Sequence, residues 1–116
     1  VSTEPIVSIV LGLFLNRPPL ETLDSAIAAD RLGFGELWVG EMATFDAFSL
    51  ASVIAERTER IALTIGPLAV GVRDPVTIAM GIGSVAALSG RRVNVAIGSS
   101  SDVDLVPIEQ RAEHLR

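Results

Sequence analysis

The chain contains no cysteine and a single histidine, His114, close to its last residue. Without thiols there is no disulfide framework, no thiol nucleophile and no cysteine-based metal centre, which fits a cytoplasmic protein. One histidine cannot build a histidine metal cluster, and it argues against an internal catalytic triad. On a charged terminal stretch, His114 reads as a surface residue. Charge is sparse as well: 20% of the residues are charged, and the formal net charge is -5. No basic stripe is visible, so nucleic-acid binding is not expected. Long apolar runs are missing too. The two longest uncharged stretches, Ile6 to Leu15 and the glycine-broken Val76 to Leu88, fall well short of the roughly 20 residues of a bilayer span. The opening Ser2-Thr3-Glu4-Pro5 lacks the basic flank of a signal peptide, so export is not expected.

What is abundant is apolar. Hydrophobic residues make up 49% of the 116 residues, rich for one ordinary domain, so the chain should bury more apolar surface than one small core needs. Ile6 to Leu13 is almost continuously apolar, which predicts a strand buried on both faces. After Asn16-Arg17-Pro18-Pro19, the residues Leu20, Leu23, Ile27, Ala28 and Leu32 recur at helical spacing, with Glu21, Asp24 and Asp30 on other faces and Gly33 as a C-cap. Glu36 to Val39 reads as a second strand. Asp46 suits the N-cap of a second helix that carries Ala47, Leu50, Ala51 and Ile54 inward and ends in Arg57-Thr58-Glu59-Arg60. Ile61 to Gly66 is a third strand. Asp74 caps a helix with Pro75 at its first position, running to about Ser89 and stopping at Gly90. Arg92 to Gly98 is a fourth strand, and Ile108 to Arg116 begins a fourth helix.

These are four βα units, and right-handed crossovers then force a parallel α/β sheet with helices outside. The loops after residues 13, 39, 66 and 98 are longer than the αβ turns, so function is expected at the strand C-termini. Two architectures fit. An open doubly wound sheet would carry a glycine-rich phosphate cradle in its first βα turn, and "LGLFLNRPPL" is not one. A (β/α)8 TIM barrel needs about 250 residues. Residues 1–116 would then be its first half, an incomplete domain, and this is the favoured reading.

One segment raises a question. "TIGPLAVGVRDP", residues 64 to 75, joins a strand to a helix, yet between its ends it reads Leu68, Ala69, Val70 and Val72, apolar where a solvated loop is expected. The stretches "ADRLGFGELWVGEM" (29 to 42), "LASVIAERTERIALTIG" (50 to 66), "RDPVTIAM" (73 to 80) and "LSGRRVNVAIGSS" (88 to 100) resemble the bacterial luciferase-like flavin and deazaflavin enzymes, in order and spacing over nearly the whole chain. That resemblance implies a TIM barrel, a cofactor that is coenzyme F420 or FMN, and hydride transfer or monooxygenation. The "GEMATFDAF" after the second strand is closer to the F420-using branch. In the family the loop after strand three lies against the cofactor ring, often through a non-proline cis peptide. Here Gly66-Pro67 offers a prolyl bond instead.

The resemblance implies a cofactor site of Gly66, Pro67, Leu68, Ala69, Gly98 and Ser99, with no metal. Glycine would let backbone approach the ring, and the aliphatic residues would form a water-poor surface. Glu41, ending the second strand, is the best candidate general base, and it reads equally as a helix-capping or surface carboxylate. Arg73 reads either as an anion contact or as a solvated arginine beside a helix start. Trp38 reads as core, Asp46 and Asp74 as N-caps, and the segment from Gly66 to Gly71 also as a loop tucked under a helix or a partner.

A free half-barrel would leave two edge strands unpaired and an inner face of valine, isoleucine and leucine in water. It is expected to need company. The chain reads as the N-terminal part of an F420- or FMN-dependent oxidoreductase acting on a small organic molecule, inactive alone and completed by a second half-barrel. The alternative is a non-catalytic half-barrel or cofactor-binding module that self-associates as a homo-oligomer.

Overall fold

A computed structural model describes residues 6–11, 18–41 and 46–98. The predicted fourth helix, 108–116, and Ser99 lie outside the described residues. The element order is β1 (Ser8–Leu11), α1 (Leu20–Arg31), β2 (Glu36–Val39), α2 (Ala47–Arg57), β3 (Ala62–Ala69), α3 (Pro75–Ser89) and β4 (Val93–Gly98). The strands form one parallel sheet in the order β1-β2-β3-β4. This is the predicted α/β arrangement of sequential parallel βα units.

Helix ends follow local chemistry. The Asp46 carboxylate accepts from the Ser49 N–H at 3.0 Å and the Asp74 carboxylate from the Thr77 N–H at 2.8 Å, so both aspartates cap helices. Pro75 opens α3, where its missing N–H costs nothing. At the end of α1 the Phe34 N–H reaches the Ala29 carbonyl at 3.1 Å and the Gly33 N–H the Asp30 carbonyl at 3.2 Å. This is a Schellman closure, and it needs the positive φ of 86° that Gly33 supplies.

The helices cover one face of the sheet. Leu37, Val39, Leu63, Ile65 and Leu68 have no exposure there, packed with Leu23, Ala26, Ala29, Ala51 and Ile54. Burying each large aliphatic stabilises the fold by about 1.5–3 kcal/mol. Because strand side chains alternate, Ser8, Val10, Glu36, Trp38, Ala62, Thr64 and Asn94 stand on the opposite face. That face has no covering layer among the described residues. The expectation that it bares valine, isoleucine and leucine is corrected: it carries hydroxyls, an amide, a carboxylate and an indole, with Val10 the large aliphatic. The Glu36 carboxylate accepts from the Ser8 hydroxyl at 3.1 Å and from the Trp38 indole N–H, so Trp38 is half-buried on this face rather than core.

Two further expectations change. The first strand is not buried on both faces, since Val10 is 67% exposed and only Leu11 is buried. The inward stripe of α1 is Leu23, Ala26, Ala29 and Asp30, while Leu20 and Leu32 are 70% and 75% exposed. Asp30 turns inward because its carboxylate accepts three backbone N–H groups, Glu59 and Arg60 at 2.9 Å and Ile61 at 2.8 Å. It closes the connection between α2 and β3. Burial works against ionising Asp30, but those three donors and the Arg60 charge prevail and hold its carboxyl below the ordinary value. On the other side of that connection the Arg91 guanidinium donates to the Thr58 hydroxyl at 2.5 Å and to the Ile61 carbonyl.

Candidate functional site

Apolar residues 68 and 69 are not loop. β3 runs on through Gly66 and Pro67, whose peptide bond is cis, to Ala69. A register irregularity lies between Ile65 and Leu68, after which Leu68 pairs with Ile97 and Ala69 with Gly98. Leu68 is apolar because its side chain fills the core with no exposure. Gly66 is glycine for its neighbour: a Cβ there would stand 2.3 Å from the Ala96 carbonyl oxygen, and its φ is 142°. The segment proper to the loop is 70–74. It is held by the Val70 N–H on the Gly98 carbonyl at 3.2 Å, and by the Val72 and Arg73 N–H groups on the Ala69 carbonyl at 3.0 and 3.2 Å.

The C-terminal rim of the sheet is therefore assembled from Gly40 and Glu41 after β2, Ala69 at the end of β3 with Val70 after it, and Gly98 at the end of β4. On the uncovered face near that rim Pro67 is exposed, and a Cβ on Gly98 would lie 3.5 Å from Pro67 Cβ, an ordinary contact. The two residues are neighbours there and carry no charge. Of the six residues predicted against a cofactor, Pro67 and Gly98 share this surface. Gly66 and Ala69 are buried beside it, Leu68 faces the core, and Ser99 follows Gly98 outside the described residues.

Glu41 is buried and fully engaged. Its Oε1 accepts from Arg73 Nε at 2.9 Å, and its Oε2 accepts from Arg73 Nη2 at 2.7 Å and from the Ala47 N–H at 3.0 Å. Arg73 Nη2 also pairs with Asp46, and its guanidinium lies 4.8 Å from the Phe48 ring centroid. Glu41 thus caps α2 and grips the 70–74 loop. The Glu41 hydrogen bonds and the two carboxylate charges raise the Arg73 pKa against its burial. Asp46 loses some hydration, yet the Ser49 hydroxyl and N–H and the Arg73 charge hold its pKa below normal. As placed, both Glu41 carboxylate oxygens are committed to Arg73 and the Ala47 N–H.

The reading of residues alone missed Asp30, Phe48 and Arg91. For Asp30 a signal existed, since it falls seven residues after Leu23 and four after Ala26, on the buried stripe. Arg91 and Phe48 carried none, because their partners lie far away in the chain. No group of three or more potential metal ligands occurs among the described residues. No described helix is long and apolar enough to cross a membrane.

A parallel βα sheet with its loops at the strand C-termini defines the class as α/β, consistent with half of a TIM barrel. The family model "luciferase-like monooxygenase" matches residues 9–105, and the chain belongs to that family. The oxygenating constituent of 3,6-diketocamphane monooxygenase from Pseudomonas putida, a type II Baeyer-Villiger monooxygenase in complex with FMN, superposes with a TM-score of 0.69 at 18% identity, over 92% of this chain and 31% of its own. The monooxygenase RslO1 from Streptomyces bottropensis gives 0.72 at 19% identity, over 93% and 39%. Apo-MsnO8 gives 0.65 at 25% identity, over 93% and 36%. The chain therefore spans about a third of the length of these neighbours. Among curated proteins none matches the sequence significantly.

Proposed function

We propose that the chain is the N-terminal half of a flavin-type barrel oxidoreductase that acts on a small organic molecule by hydride transfer or monooxygenation. The observation that carries this reading is the uncharged surface of Pro67 and Gly98 at the strand C-termini, on the face of the sheet that a second half-barrel would enclose. Such a surface suits a planar ring, because flat contact needs small groups and little competing hydration. When bound, a flavin-type group supplies the hydride or oxygen chemistry. The chain's own residues orient and exclude water. Pro67 and Gly98 would lie against the ring, Gly66 and Ala69 hold the strand behind them, and Leu68 anchors that strand in the core.

Glu41 is a positioning residue here, since both of its oxygens are committed to Arg73 and the start of α2. FMN is the first choice of cofactor, supported by the FMN complex of a structural neighbour. Coenzyme F420 is the second, supported by the resemblance of "GEMATFDAF" to the F420-using branch. A self-associating, non-catalytic half-barrel in the cytoplasm is the competing reading, and the bare face of the sheet favours it equally.

The test is a fluorescence titration of FMN and of F420 into the chain alone and into the chain joined to a second half-barrel. Saturable quenching of one cofactor, with substrate turnover only in the joined form, is the expected result. Turnover by the chain alone would remove the need for a second half. Absence of binding in both forms would remove the flavin reading.

A further inference from the structure

On the uncovered face of the sheet Thr64 and Asn94 stand side by side. They are register partners between β3 and β4, and Trp38 of β2 pairs with Thr64 from its other side. Thr64 is only 4% exposed, yet its hydroxyl has no hydrogen-bond partner among the described residues, and the Asn94 amide has none either. The Trp38 indole N–H does not serve Thr64, because it is given to the Glu36 carboxylate. A buried hydroxyl without a partner is costly, and valine would fill the same space without that cost. Threonine at this position calls for something that its hydroxyl meets.

The surroundings define the chemistry that fits. Two residues further along each strand, roughly 6–7 Å toward the C-terminal rim, come Gly66 and Ala96. No side chain larger than a methyl therefore separates the polar pair from Pro67 and Gly98. A planar group lying on Pro67 and Gly98 would turn one edge toward Thr64 and Asn94. The Asn94 amide offers a donor and an acceptor, and the Thr64 hydroxyl serves as either. That pair matches an edge carrying both functions itself, a carbonyl beside an N–H, as in an imide or a lactam. An anionic edge fits badly. No cation bonds either residue among the described residues, and the carboxylate of Glu36 stands on the same face with only the neutral Ser8 hydroxyl and Trp38 indole as its partners.

We infer that Thr64 and Asn94 hydrogen-bond the imide edge of the planar ring seated on Pro67 and Gly98. The inference rests on the flavin-type reading of that surface and adds to it the recognition of the ring's polar edge. It does not depend on the choice between FMN and F420, since flavin and deazaflavin rings share an imide edge with one N–H between two carbonyls. Thr64 and Asn94 are binding residues here, and no step of the chemistry is assigned to them.

Lumiflavin and 3-methyllumiflavin are the probes, because they carry the ring without a phosphate chain and differ only by a methyl on the imide nitrogen. Each is titrated by fluorescence into the form of the chain, alone or joined to a second half-barrel, that binds FMN. The native protein is expected to bind lumiflavin about tenfold more tightly than its methylated analogue, and Asn94→Leu to reduce that ratio to about twofold or less. Thr64→Val is expected to weaken lumiflavin about tenfold while its melting temperature stays equal or rises, the reverse of what a merely structural role would give. Equal binding of the two probes by the native protein would overturn the inference and leave the ring surface standing. Absence of binding by FMN and by both probes would remove the ring surface as well. Native-like binding of lumiflavin by both variants would also overturn it, and a loss of stability confined to their joined forms would then give the pair to the inner face of the second half-barrel.

Discussion

Arg73 and Glu41, 32 residues apart, meet in a two-point ion pair at 2.9 and 2.7 Å that ties the loop after β3 to the end of β2. A lysine has one ammonium and cannot make both bonds in that geometry. Arg73→Lys should therefore lower stability by about 1–2 kcal/mol, and Glu41→Gln by about 2 kcal/mol because it leaves the guanidinium partly unpaired. Urea denaturation of both single variants and the double variant measures the coupling. A coupling near zero would mean the pair is incidental to folding.

The three N–H groups on Asp30 make it the most exacting polar residue of the fold. Asp30→Ala leaves the Glu59, Arg60 and Ile61 donors without their acceptor, at a cost of about 2–4 kcal/mol. Asp30→Asn should recover only part of that, since one side of the amide would set N–H against N–H. Thermal melts of the two variants rank them, and equal melting temperatures would contradict the account.

Acid should unfold the protein partly through the same residue. The folded carboxyl of Asp30 sits below its ordinary pKa, so its contribution is complete above about 3.9, the unfolded value. It declines as pH falls from there through the depressed folded value. Asp46 follows the same sign. The urea midpoint of the native protein should drop between about pH 4 and pH 2, and Asp30→Ala should flatten that drop. An unchanged slope in the variant would assign acid sensitivity to other groups.

Two glycines near the rim should behave differently. Gly66→Ala drives a Cβ to 2.3 Å from the Ala96 carbonyl oxygen, a backbone atom, at a φ of 142°. A loss of about 2–3 kcal/mol is expected. Gly98→Ala meets Pro67 at an ordinary 3.5 Å and should leave the melting temperature within about 2 °C. If the proposed ring surface is correct, Gly98→Ala weakens cofactor binding without loss of fold. Circular dichroism melts paired with cofactor titration separate the two effects.

Much of this was legible in the residues. Asp74-Pro75 and Gly90 bracket α3 because a cap, a fixed φ and a left-handed stop are local requirements. The strand cores of β2 and β3 announced themselves by aliphatic density. The end of β3 did not, because Gly66 and Pro67 look like turn residues and only their pairing with β4 keeps them in the sheet. Asp30 was misplaced for a related reason. A charged residue on a helix reads as solvated until its acceptors are matched with donors about thirty residues away.

Composition and period were enough for the class of fold: four aliphatic segments alternating with capped helical stripes lead to a parallel sheet with its helices outside, because crossover handedness is fixed by the backbone. They also carried the family resemblance, which rests on local patterns in order. Tertiary structure alone decided which side chains face one another. It put Glu41 on Arg73, turned Asp30 inward, made the uncovered face polar around Glu36 and Trp38, and gave Leu68 to the core rather than to the rim. Those outcomes depend on register and on the alternation of strand faces, quantities that arise only when distant segments are paired.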